Sequence, residues 1–71
     1  MTVTWALEKH IATLSTSPKG WTMEVNLISW NGQPAKIDVR DWSPDHDKMG
    51  KGITLTEEQA KSLLNALRRK W

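Results

Sequence analysis

ISWNGQPAKIDVRDWSPDHDKMGKGITLT, residues 28–56, holds two strand-like runs and a Gly-Lys-rich segment that leads into a helix cap. Read with a period of two, residues 35–42 place Ala35, Ile37, Val39 and Asp41 on one face. Lys36, Asp38, Arg40 and Trp42 fall on the other. The first face is mostly apolar and suits a core. The second carries two cations and a large ring, an unusual set for a face that meets only water. Trp30 stands just before the turn Asn31-Gly32, and Lys48 and Lys51 follow downstream. Rings that stack on bases, interleaved with cations that meet phosphates, are the requirements of a strand-built surface for single-stranded nucleic acid. The plainer alternative is a twisted sheet with solvated lysines and partly buried tryptophans.

Working outward, Asn-Gly is the strongest short hairpin signal, because both residues tolerate positive φ. Upstream, Trp21, Met23, Val25 and Leu27 alternate with Thr22, Glu24 and Asn26, the pattern of a half-buried strand. The alternation falters at Ile28, apolar on the polar side, and at Ser29, polar on the apolar side. Ser15-Thr16-Ser17-Pro18-Lys19-Gly20 is a turn. Residues 3–14 stay open between a helical stripe of Trp5, Leu7, His10, Ile11 and Leu14 and a strand favoured by Val, Thr and Ile. Downstream, Ser43-Pro44-Asp45-His46-Asp47 reads as a solvated loop, and Lys48 to Leu55 as a short last strand broken by Gly50 and Gly52. Thr56-Glu57-Glu58-Gln59 is a capping box, followed by Ala60, Leu63, Leu64, Leu67 and Trp71 at helical spacing. Strands followed by one amphipathic helix define an α+β domain, and residues 1–71 read as a single unit without repeats.

A chain of 71 residues without cysteine has a small core and no disulfide to staple it,. Association is the common remedy, so a homodimer is expected, with Leu63, Leu64, Leu67 and Trp71 at its interface. The formal charge of +2 is only mildly basic, so clustering rather than total charge must attract nucleic acid,. Five Trp in so short a chain call for a shared interface or a stacking surface,. No apolar run could span a membrane as a helix, and the N-terminus lacks the pattern of a secretory signal. Absence of cysteine fits a reducing, cytoplasmic location.

Enzymatic readings find little support. Gly50-Lys51-Gly52 lacks the spacing of a phosphate loop, with Ile53 where a hydroxyl belongs. Asp45-His46-Asp47 has no second cluster with which to hold a metal, and His10 has no nucleophile or acid at a suggestive spacing. No metal, cofactor or small-molecule substrate is expected. Arg68, Arg69 and Lys70 suit the negative end of a helix.

The run EVNLISWNGQPAKIDVRDWSPDHDKMGKGITLTEEQ resembles the transcriptional coactivator family called positive cofactor four, and its compact bacterial, YdbC-like members most of all. The resemblance covers roughly residues 13–68 and rests on SWNG, on Lys36-Asp38-Arg40 with Trp42, and on GKGITLT. It implies a homodimer that binds single-stranded DNA, each subunit a four-stranded curved antiparallel sheet followed by one helix, with the helices forming much of the interface. It further implies that Trp30 is a base-stacker, Arg40 a cation that contacts the backbone, Trp42 part of an aromatic patch, and Lys48 and Lys51 basic contacts. Asn31 and Gln33, with Lys36, complete the candidate surface. Eukaryotic members carry Lys-Gly-Lys at Asn31-Gly32-Gln33 and two adjacent aromatics at Trp42-Ser43, so binding here leans on stacking more than on charge. Their serine-rich and acidic tail is absent, and a coactivator role does not transfer. Two other readings stay open: an RNA-binding or RNA-chaperone protein, and a protein-interaction module of the transcription machinery.

Overall fold

The computed structural model describes residues 4–71. The beginning of the ambiguous stretch 3–14, and of the segment weighed as a signal, lies outside the described residues. Four antiparallel strands in the order β1-β2-β3-β4 precede one helix: β1 Trp5–Thr16, β2 Thr22–Trp30, β3 Lys36–Trp42, β4 Met49–Leu55 and α1 Glu57–Arg68. The open question over the first segment is thus settled as a strand. Its register against β2 slips three times, between Leu7 and Lys9, His10 and Ala12, and Thr13 and Ser15. Each slip is a bulge that sharpens the local twist, and together they blur the period that sequence reading relies on.

Asn31 and Gly32 both take positive φ, 50° and 75°, and the Gln33 N–H donates to the Trp30 carbonyl at 2.9 Å. The hairpin therefore forms at the Asn-Gly pair as its chemistry requires. Glycine has a second use at Gly52, which lies opposite Arg40. A Cβ there would collide with the Arg40 Cβ and the Val39 carbonyl oxygen. The capping box is complete, with the Gln59 N–H donating to Thr56 Oγ1 at 3.1 Å and the Thr56 N–H to Gln59 Oε1 at 2.9 Å.

The burial of the two sheet faces reverses the simple expectation. Glu24, Asn26, Ile28, Asp38 and Trp42, all on the face expected to meet ligand, are buried, the last four almost completely. Val25, Ile37 and Val39, on the apolar face, are only half-buried. The ring of Trp5 on β1 lies 5.1 Å from that of Trp42 on β3 although β2 runs between them. The sheet thus curls over its polar face. Ile28, which broke the alternation, belongs inside that curl. Among the described residues the apolar face has only α1 against it, and α1 buries no residue: Leu63, Leu64 and Leu67 are 43%, 51% and 46% exposed. Between helix and sheet runs an apolar groove of about 410 Å³. Trp71 is 84% exposed, with the Lys70 ammonium nitrogen 5.5 Å from its ring centroid.

Candidate nucleic-acid interface

On the curled face, β2 ends at Trp30, half-buried, and the guanidinium carbon of Arg40 sits 5.0 Å from its ring centroid. That distance is within cation–π range. Asp38 holds the guanidinium in place: Arg40 Nε donates to Asp38 Oδ2 at 2.7 Å and Nη2 to Oδ1 at 2.9 Å. Thr54 Oγ1 adds a third hydrogen bond to Asp38 Oδ1 at 3.0 Å, and Arg40 Nη1 reaches the Gly50 carbonyl at 3.3 Å. A bidentate pair of this kind fixes a side chain in orientation as well as position. Beside the stack opens a cleft of about 400 Å³ walled by Trp30, Gln33, Pro34, Lys36, Arg40 and Thr54. This is the low end of the volumes that take small ligands.

The other expected contacts divide. Lys36 and Gln33 are exposed at the cleft. Asn31 is exposed too, but its Oδ1 accepts from the Thr4 N–H at 2.9 Å, so its side chain ties the hairpin to the start of β1. Lys48 and Lys51 are exposed outside the cleft. Trp42 does not have the open face that stacking requires. It is fully buried, with Trp5 tilted against it and His46 stacked upon it at 4.8 Å and 12°. The cause is the curl, which carries the far end of β3 under neighbouring rings.

Sequence reading missed a polar cluster next to that ring. Glu24 is buried between the two histidines: His46 Nε2 donates to Oε2 at 2.9 Å, and His10 Nδ1 lies 3.5 Å from Oε1. Thr22 Oγ1 and Asn26 Nδ2 donate to the same carboxylate at 2.6 and 3.1 Å. Burial alone would raise the Glu24 carboxyl. The hydrogen bonds from Thr22, His46 and Asn26, with the charge on His46, outweigh it and hold the group below its ordinary value,. His10 also faces Asn26 Oδ1 at 2.7 Å and Thr13 Oγ1 at 3.2 Å. The row thus runs from exposed Thr13 and His10 on β1 to the buried Glu24 carboxylate on β2. The signal available in the sequence was parity: Glu24 and Asn26 sit on the same face as Arg40.

A curled four-stranded antiparallel sheet with a cation-capped tryptophan on one face, and one C-terminal helix beside an apolar groove on the other, defines the class, an α+β domain. The family model described as Transcriptional Coactivator p15 (PC4) matches residues 17–66. An uncharacterized protein of Treponema pallidum (strain Nichols) is 49% identical over 63 residues, which cover 89% of this chain and 74% of that protein. The chain belongs to the Transcriptional Coactivator p15 (PC4) family. No helix among the described residues is long and apolar enough to cross a membrane.

Proposed function

We propose that this chain is a homodimeric, sequence-tolerant single-stranded DNA-binding protein. The observation that carries the reading is the Trp30–Arg40 stack, locked by Asp38 beside a cleft whose rim offers Lys36. Such a stack accepts the face of any unpaired base, while Lys36, Lys48 and Lys51 supply phosphate contacts. Nothing in this chemistry reads a base edge, hence the tolerance of sequence. Family membership supports the same ligand, because the resemblance of these motifs implies single-stranded DNA.

The second layer missing from the apolar side supports the dimer. A helix that leaves three leucines about half exposed beside an apolar groove has more hydrophobic surface than water favours,. A second copy laid against the same face would cover both grooves at once, as a two-fold interface does. The test is titration of the pure chain with oligo-dT, oligo-U and duplex DNA at two salt concentrations, with its mass followed by sedimentation. Tight binding of oligo-dT, weak binding of duplex and a dimer mass at micromolar protein are expected. Equal competition by duplex would mean bare phosphate attraction and end the stacking reading. Preference for oligo-U would turn it toward RNA.

A further inference from the structure

We propose that His46 presents a second stacking face, which takes an unpaired nucleobase of the bound strand. This inference rests on the single-strand reading and extends it to the loop that follows Trp42, beside the same curled face. Trp42 cannot serve there, because both Trp5 and His46 lie on it. His46 can. One side of its imidazole is stacked on the Trp42 indole at 12° between planes, and its side chain is still 41% exposed, so the opposite side meets solvent. A ring backed by a buried indole and open on the other side is a ready partner for a base.

The ring is also held still. Its Nε2 donates to the buried Glu24 carboxylate at 2.9 Å, and the His46 N–H donates to the Ser43 carbonyl at 2.9 Å. The loop around it is closed by Ser43 Oγ on Asp45 Oδ1 at 2.8 Å and by the Lys48 N–H on Ser43 Oγ at 2.9 Å. Within that frame His46 adopts φ of +60°, a left-handed conformation that costs a non-glycine residue energy and that surrounding bonds must enforce,. Trp5, 40% exposed and tilted at 58° against Trp42, packs on the same indole that backs His46. Ordering cost is thus met in the free protein, which favours a contact made without rearrangement.

The experiment compares oligo-dT binding by the full chain with that of His46→Gln, His46→Phe and Trp30→Ala. Gln keeps a donor for Glu24 and removes the ring; Phe keeps a ring and removes the donor. His46→Gln should weaken binding at least about fivefold, the lower bound for losing one base stack, and His46→Phe should stay within about twofold of wild type. Wild-type affinity for His46→Gln, with Trp30→Ala weakened, would overturn the role of His46 and leave the single-strand reading standing. A larger loss in His46→Phe than in His46→Gln would overturn it as well, since the bond to Glu24 rather than the ring would then matter. A chain indifferent to oligo-dT in every form would overturn both readings. A second measurement avoids substitution: on addition of oligo-dA to the wild-type chain, the His46 ring protons should move upfield under a stacked purine. Unmoved resonances in the bound state would overturn the proposal.

Discussion

At Arg40 the charge is turned inward. Its Nε and Nη2 both face Asp38, and Nη1 faces Gly50, so the side chain offers a flat, oriented cation and few free donors for phosphate. Trp30 and Lys36 should therefore separate cleanly from it. Trp30→Ala is expected to cost about 1–3 kcal/mol of binding to oligo-dT with little change in salt dependence. Lys36→Ala should lower the salt slope by about 0.7, the counterion release of one phosphate contact on a single strand. Both are read by fluorescence titration across a salt series, and identical slopes for the two variants would mean that the cleft is misassigned. Arg40→Ala should act first on the fold, because it strands the Asp38 carboxylate, which is fully buried. Removal of one partner of a buried pair costs about 3–5 kcal/mol, measurable as a lower urea midpoint. An unchanged midpoint would show that Asp38 has another counterion.

Among the elements, the later strands and the helix were legible and the first strand was not. Val25, Leu27, Ile37 and Val39 alternate cleanly because β2 and β3 pair in unbroken register from Ile28 with Lys36 to Thr22 with Trp42. The cap at Thr56 and the turn at Asn31-Gly32 depend on neighbours in sequence and so could be read from sequence. In β1 the bulges beside Lys9, Ala12 and Ser15 break the period, and Leu7, His10 and Ile11 mimic helical spacing. The same limit applied to the site. Parity put Trp42 and Arg40 on one face correctly, but it carries no information on curl, and the curl decides that Trp42 is covered and His46 is not. Gly52 shows how closely β4 approaches β3. Gly52→Ala should cost at least about 1–3 kcal/mol by overpacking, seen as a lower melting temperature, and a chain that melts like wild type would mean that β4 can move outward freely,.

For the molecule as a whole, acid is the first environmental lever. Glu24 has its carboxyl pKa depressed in the folded chain, so its contribution is fully present above the unfolded glutamate value of about 4.3 and is lost as pH falls through the lower folded value,. Urea unfolding at stepped pH should show the advantage of wild type over Glu24→Gln shrinking below that point, and a gap constant down to pH 2 would contradict the assignment. The second lever follows from the helix leucines left half exposed beside their groove. If the second layer of this protein is another copy of itself, folding is a second-order reaction and the amount of protein enters its equilibrium. Each tenfold increase in concentration should then add about 1.4 kcal/mol to the stability of the dimer, and melting curves recorded from 1 to 100 μM should shift upward together. Overlapping curves would mark a self-sufficient monomer. Expression level then becomes a structural variable: in a cell that makes too little of this chain, the curled face itself is lost by dilution, with every residue of it intact.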